Sequence, residues 1–131
     1  MNMDTVKKER ESVENYLASI LDLQKKNGIC YSVNVAHDMN FSKASVSVAM
    51  KKLCEDGLVS FGENHELLLS EDGRKIAKEV LTKRQTLKEA LIAIGVSEKN
   101  AGVDAHQIEH AISDETNKKL YHYLKFQMKK G

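Results

Sequence analysis

Apolar residues recur at helical spacing along two long stretches of the chain. The first runs from about Thr5 to Lys26, and Gly28 ends the periodicity. The second runs from about Glu71 to Ile94, and Gly95 is its C-terminal stop. Serines that can cap a helix N-terminus precede this helix and two shorter ones: Ser70, Ser97 and Ser113. The chain contains no proline, which favours long uninterrupted helices.

In the segment between the two long helices, the apolar pattern predicts two short helices. In "YSVNVAHDMNFSKASVSVAMKKLCEDG", Ser32 is expected to cap a short helix, and "MNFS" reads as a turn. Ser42 then caps a second helix, which Gly57 ends. Four apolar residues of that second helix share one face: Val46, Ala49, Met50 and Leu53. Two short helices joined by a tight turn predict a helix-turn-helix, although ordinary helical hairpins have the same outline.

A strand, a turn and a second strand follow the second short helix directly. They are "GLVSF", "GENHE" and "LLLSEDG". A hairpin in this place is the wing of a winged helix. The predicted fold is therefore mainly α with a small β-hairpin wing. An N-terminal winged helix-turn-helix over residues 1–72 precedes a C-terminal helical domain over residues 73–131.

The composition of the chain excludes some classes of function but does not identify one. The 131 residues carry a net charge of +1. Residues 1–70 hold eight Lys/Arg and ten Asp/Glu, a net of −2, so a basic footprint is lacking and DNA binding must rest on local placement. No apolar run suits a signal peptide or a membrane span, and Cys30 and Cys54 are expected to be reduced thiols in a cytoplasmic protein.

The second helix of a helix-turn-helix enters the DNA major groove and presents its N-terminal residues to base edges. Here these residues offer hydroxyls, one cation and one methyl group, which suit phosphates, base edges and a thymine methyl. Two lysines at the far end suit phosphates. The predicted DNA-binding residues are Ser42, Lys43, Ala44, Ser45, Ser47, Lys51 and Lys52. A solvated helix face is the alternative, but the run "SKASVS" favours DNA because serine has only middling helix propensity.

A later helix carries "DAHQIEHAIS", which places His106, Glu109 and His110 at i, i+3 and i+4. These three side chains can ligate a transition metal. The spacing also fits the H-x-x-E-H motif of zinc peptidases, with Glu109 as general base. Such enzymes need a further downstream ligand and a large chamber, and only 21 residues follow His110. The prediction is therefore that the protein is not an enzyme.

The winged helix followed by "IEH" resembles the iron-dependent repressor family, from about Ser12 to Leu124. "SVENYLASILDL" is similar to the family's first helix, and "LSEDGRKIAKEVLTKRQTLKEAL" to the helix that links its two halves. The resemblance implies a homodimer that binds a double-stranded DNA operator. It also implies a repressor of metal-homeostasis genes, with a divalent metal, usually manganese or iron, as corepressor.

Carried over residue by residue, the family's metal site matches this chain only in part. Glu109 and His110 stand where the family has a ligating glutamate and histidine. His106 stands where it has a cysteine or glutamate, and shifts the preference toward zinc, iron or nickel. Asn15 replaces a first-helix ligand with a weak amide oxygen. Ala18 stands where the manganese branch has a carboxylate, and alanine cannot ligate.

Arg84 stands where a histidine of the linking helix is expected, and Lys88 and Gly102 replace further ligands of the iron branch. A guanidinium is a permanent cation that repels a metal ion. Two hypotheses follow. Either His106, Glu109, His110 and Asn15 form a reduced, weak metal site, or Arg84 replaces the metal by pairing with Glu109. The fixed charge favours the second.

A winged helix can also serve as a protein-docking module without DNA binding. The predicted wing tip carries Glu63 and Glu66 and no Lys or Arg, and acidic side chains repel phosphate. Together with the net charge of −2 on residues 1–70, this keeps the docking alternative open. Loss of DNA affinity with rising salt would distinguish a DNA-binding domain.

Overall fold

The structure, a computed structural model, describes residues 2–130, of which the side chains of residues 128 and 130 are left aside. Its elements are α1 (Met3–Asn27), α2 (Ser32–Met39), α3 (Lys43–Glu55), β1 (Val59–Phe61), β2 (Leu67–Leu69), α4 (Glu71–Ala93), α5 (Glu98–Ile108) and α6 (Asp114–Lys130). The predicted class, mainly α with one hairpin wing, is confirmed. No helix in this described part is long and apolar enough to cross a membrane.

The chain folds as two compact units that divide inside α4. The N-terminal unit extends to Glu79, and the C-terminal unit begins at Val80. The predicted domain boundary, between residues 72 and 73, lies in the first turn of the same helix. Where the functional domains divide stays a prediction.

Capping residues define the helix starts of the N-terminal unit. Ser42 has extended backbone, and its Oγ accepts a hydrogen bond from the Ser45 N–H at 3.1 Å, as the sequence predicted. The expectation that Ser32 caps α2 was wrong, because Tyr31 is the capping residue. The side-chain oxygen of Asn34 reaches back and accepts from the Tyr31 N–H at 2.8 Å, so that the helix begins one residue earlier.

The core of the N-terminal unit lies between α1 and the helix-turn-helix. Leu17 and Ile20 of α1 are completely buried, and so are Val46 and Met50 of α3. Full burial of such side chains stabilises a fold by roughly 1.5–3 kcal/mol each. Contacts that join α1 to the other elements include the edge-to-face pair of Tyr16 and Phe41, with ring centroids 6.0 Å apart. This packing leaves the opposite side of α3 to solvent.

The wing is a two-stranded antiparallel hairpin in which Val59 pairs with Leu69. The connection from β2 into α4 requires a glycine at position 73. The Ser70 N–H and Oγ–H both donate to the Leu58 carbonyl oxygen, at 3.0 and 3.2 Å, while the Gly73 N–H donates to Ser70 Oγ at 3.0 Å. A Cβ at Gly73 would overlap the Leu58 carbonyl oxygen, so any larger residue must shift the backbone.

Candidate functional site

The solvent-exposed face of α3 carries the predicted DNA-binding residues. All seven are exposed: Ser42, Lys43, Ala44, Ser45, Ser47, Lys51 and Lys52. They sit opposite the buried face because α3 is amphipathic, with Val46, Met50 and Leu53 inside. The helix therefore offers a continuous surface with one cation and several small side chains at its start and two further cations near its end.

The hydroxyls at the start of α3 divide into capping and donor groups. Ser42 Oγ accepts from the Ser45 backbone and donates its own proton to Ser45 Oγ at 2.9 Å. Ser42 is thus engaged in holding the helix start. The Ser45 hydroxyl accepts that bond and retains its own proton, which can be donated to a phosphate or base acceptor.

Val48 was missed in the sequence reasoning and lies on the same exposed face. Its side chain is 72% exposed. It follows Ala44 by four residues, so both face the same way, together with Lys51 and Lys52. The helical spacing from the buried Val46 and Met50 could have placed it there. Two neighbouring apolar groups, Ala44 and Val48, suit contact with thymine methyls.

The wing tip is acidic, but one of its carboxylates is held by the turn. Glu66 Oε1 accepts from the Asn64 N–H at 3.1 Å, and the Gly62 N–H donates to the Glu66 carbonyl at 2.8 Å. His65 takes the left-handed conformation, with φ of 65°. Glu63 is exposed at the tip. The turn geometry accounts for Glu66 without a ligand, whereas Glu63 leaves the wing poorly suited to phosphate.

The C-terminal unit contains a buried carboxylate at the end of α5. Glu109 has a side chain only 1% exposed, and Arg84 of α4 faces it with a side chain 24% exposed. Arg84 Nε donates to Glu109 Oε2 at 2.7 Å, and its Nη2 donates to Oε1 at 2.9 Å. The predicted contact is present as a bidentate pair, the strongest geometry available to these two groups.

The three side chains of "DAHQIEHAIS" that the sequence proposed as ligands lie on both sides of the end of α5, and whether they bind a metal stays a prediction. The helix ends at Ile108, Glu109 caps it, and His110 lies in the following turn. His106 is exposed, whereas His110 is largely buried, with its Nε2 3.3 Å from Glu109 Oε1. Within the described residues, no group of three or more His, Cys, Asp or Glu is arranged to hold a metal ion.

Two further cations of α4 pair with carboxylates of the C-terminal unit. Lys83 Nζ lies 2.8 Å from Asp114 Oδ1, and this contact lowers the pKa of Asp114. Lys88 Nζ lies 3.7 Å from Glu98 Oε1. A Cβ at Gly102 would be in ordinary van der Waals contact with the Lys88 stem. Lys88 therefore lies against α5, one turn after Arg84.

The remaining predicted positions lie on α1, in the N-terminal unit. Asn15 is half-buried, and Ala18 is completely buried in the core of that unit. Alanine offers no donor atom at this place. The side chains that the sequence proposed for a metal therefore include one amide and one carboxylate already bound to arginine, so the residues present do not fit a divalent metal well.

Both cysteines are free thiols. Cys30 is buried, and burial, helped by the charge of Asp38, raises its pKa to about 11. Burial also raises the pKa of Cys54, which is half-buried. Neither thiol is activated as a nucleophile or metal ligand, because the thiolate is the reactive form.

Two family sequence models together match nearly the whole chain. Residues 10–66 match the model described as "Iron dependent repressor, N-terminal DNA binding domain". Residues 70–130 match the model described as "Iron dependent repressor, metal binding and dimerisation domain".

Individual relatives of this chain are also transcriptional regulators. The transcriptional regulator MntR of Escherichia coli is 31% identical over 107 residues, which are 82% of this chain and 69% of that protein. An uncharacterised helix-turn-helix transcriptional regulator of Methanocaldococcus jannaschii is 33% identical over 112 residues, covering 84% of this chain and 90% of that one. The structure of a manganese-dependent transcriptional repressor in complex with manganese aligns with a TM-score of 0.79 and 25% identity, over 87% of this chain and 53% of that one.

Proposed function

The chain belongs to the iron-dependent repressor family of DNA-binding transcriptional regulators, and on that premise we propose that it represses transcription by placing α3 in the major groove of its operator. The observation that carries this proposal is the exposed face of α3. Ser45 and Ser47 offer hydroxyls, Ala44 and Val48 offer methyl groups, and all four are exposed on a helix fixed by its buried side. These groups can read base edges in the groove.

Phosphate contacts come from the lysines of the same helix. Lys43 lies in the first turn of α3, and Lys51 and Lys52 lie near its end. Cations at both ends of a recognition helix fix its register by contacting the backbone on either side of the groove. We assign them this positioning role, which compensates for the acidic wing tip.

A homodimer is the state in which this family binds DNA, and the matched C-terminal model is a dimerisation domain. Two copies would present two α3 helices to half-sites about 34–36 Å apart, or a multiple of that spacing, on one face of the DNA. The operator is then a palindrome, and its targets are metal-homeostasis genes. The protein acts in the cytoplasm.

The H-x-x-E-H spacing does not serve hydrolysis in this proposal. A general base needs a carboxylate that can take a proton from water, whereas both oxygens of Glu109 accept hydrogen bonds from Arg84. The relatives are transcriptional regulators, which are not enzymes. Peptidase activity that disappears in a His106→Ala variant would contradict this assignment.

The test is DNA binding measured over a range of salt concentrations. We expect operator affinity to fall steeply with salt, because bound phosphates release counterions. A Lys51→Ala, Lys52→Ala double variant should weaken binding at every sequence and flatten the slope of log K against log salt by about one for each phosphate contact removed.

The matched control removes the same charge elsewhere. Lys119 is exposed on α6, and Lys119→Ala should leave the salt slope unchanged. Equal effects of the control and the α3 variants would refute the role of α3. Indifference to DNA at low salt would instead favour the protein-docking alternative.

A further inference from the structure

Building on the DNA-binding function proposed above, we infer that the Arg84 guanidinium takes the place of the family's metal ion, so that this repressor needs no metal corepressor. The family's C-terminal domain is described as metal-binding. In this chain the carboxylate at the centre of the candidate site is instead bound to a protein cation. The disagreement between the family description and these side chains is the basis of the inference.

The geometry of the pair leaves little for a metal ion to bind. Each oxygen of Glu109 accepts one short charge-assisted hydrogen bond, at 2.7 and 2.9 Å, from a different nitrogen of Arg84. The carboxylate is almost inaccessible to solvent. Glu109 Oε1 also lies 3.3 Å from His110 Nε2. A metal ion could coordinate a remaining lone pair only beside the guanidinium, a permanent cation that repels it and cannot become neutral.

The next cation on the same face of α4 supplies no metal ligand either. Lys88 follows Arg84 by four residues, so the two side chains are neighbours on the helix surface. Lys88 is directed toward α5, where it meets Glu98 and packs against Gly102. A lysine cannot coordinate a metal ion while it carries its proton, so Lys88 adds no ligand to the site.

The arginine also joins two helices of the C-terminal unit. Glu109 caps α5 at the point where the chain turns toward α6, and Arg84 lies in the middle of α4. The bidentate pair thus ties the end of α5 to α4 with a planar, directional contact. A metal ion dissociates when its concentration falls, whereas this cation is part of the chain, so the contact does not depend on metal concentration.

The first measurement uses the purified full-length protein and needs no DNA. Equilibrium dialysis against manganese(II), iron(II) and zinc(II), followed by metal analysis, should find substoichiometric uptake, and chelator should leave the melting temperature unchanged. About one equivalent of metal per chain, lost in His106→Ala or His110→Ala variants, would overturn the inference. The metal uptake of the unmodified protein tests the inference even if a variant fails to fold.

The second measurement restores a ligand. An Arg84→His variant removes the cation and places an imidazole beside Glu109 and His110, and three protein ligands with water can hold zinc. We expect this variant to take up about one equivalent of zinc and to melt at a higher temperature with zinc than with chelator. The matched control is Lys83→His. Lys83 immediately precedes Arg84 on α4 and faces the exposed Asp114, so this variant should gain no metal.

Each outcome can be assigned. A folded Arg84→His variant that gains no metal would show that the arginine is not what excludes it, and would overturn the substitution. A protein that binds neither metal nor DNA would refute the proposed function and leave this inference standing. A protein that binds its operator only with metal would support the proposed function and refute this inference.

Discussion

Removing Arg84 from its pair with Glu109 should destabilise the protein far more than removing Lys83 from its pair with Asp114. Removing one partner of a fully buried ion pair costs about 3–5 kcal/mol, because the other charge is left without compensation. Glu109 meets that condition, but Arg84 is partly exposed and His110 Nε2 remains 3.3 Å from the carboxylate. We therefore expect Arg84→Met to lower the free energy of unfolding by roughly 2–3 kcal/mol.

This loss is large enough for a thermal melt. For a chain of 131 residues, 1 kcal/mol corresponds to a shift of roughly 3–5 °C, so Arg84→Met should melt roughly 6–15 °C lower. Circular dichroism at a fixed protein concentration measures it, since a dimer's melting temperature depends on concentration.

The control is Lys83→Met, which removes an ion pair to a carboxylate that is 94% exposed. Exposed pairs contribute little, so the melting temperature should barely change. A double variant, Arg84→Met with Glu109→Leu, should recover much of the loss, because apolar replacement of a whole buried pair is often neutral. Equal melting temperatures of the Arg84→Met and Lys83→Met variants would show that the Arg84–Glu109 pair does not hold α4 to α5.

Three further predictions concern the N-terminal unit. Gly73→Ala should destabilise it by roughly 1–3 kcal/mol in denaturant titration, because the new Cβ overlaps the Leu58 carbonyl; wild-type stability would contradict the close approach. Ser70→Ala should cost about 1 kcal/mol in the same assay through loss of the α4 cap, and no change would mean the cap is dispensable. Burial raises both thiol pKa values, so alkylation at pH 7.5 should be slow. Cys54 labelling should accelerate only at a pH above that at which an exposed thiol ionises. Cys30, which is buried and has a pKa of about 11, should label only on unfolding. Rapid labelling of native Cys30 at neutral pH, followed by mass spectrometry, would refute its burial.

The architecture was readable from the sequence because its signals are local. Helical periodicity, capping serines and glycine stops each act within a few residues, so the order of helices and the wing followed from them. Ser42 and Ser70 cap as predicted. The error at Ser32 has the same origin, since Asn34 competes for the cap, and single-residue boundaries depend on such competition.

The candidate site was only partly predictable. The pairing of Arg84 with Glu109 could be proposed because opposite charges stood at positions linked by the family resemblance. The termination of α5 at Ile108 could not, because no glycine or proline marks it. The sequence also could not predict that Glu109 is buried while His106 is exposed, because burial depends on packing within the C-terminal unit. Periodicity places residues on faces but does not say how deeply a face is covered.

The central claim is that this family member binds its operator through α3 without a metal signal. The most direct measurement is operator affinity by fluorescence anisotropy, in chelator and in saturating manganese(II), iron(II) or zinc(II), at one salt concentration. We expect the same dissociation constant in all four conditions, and loss of operator binding in an Ala44→Asp variant. Binding that appears only when one of the metals is added would contradict it.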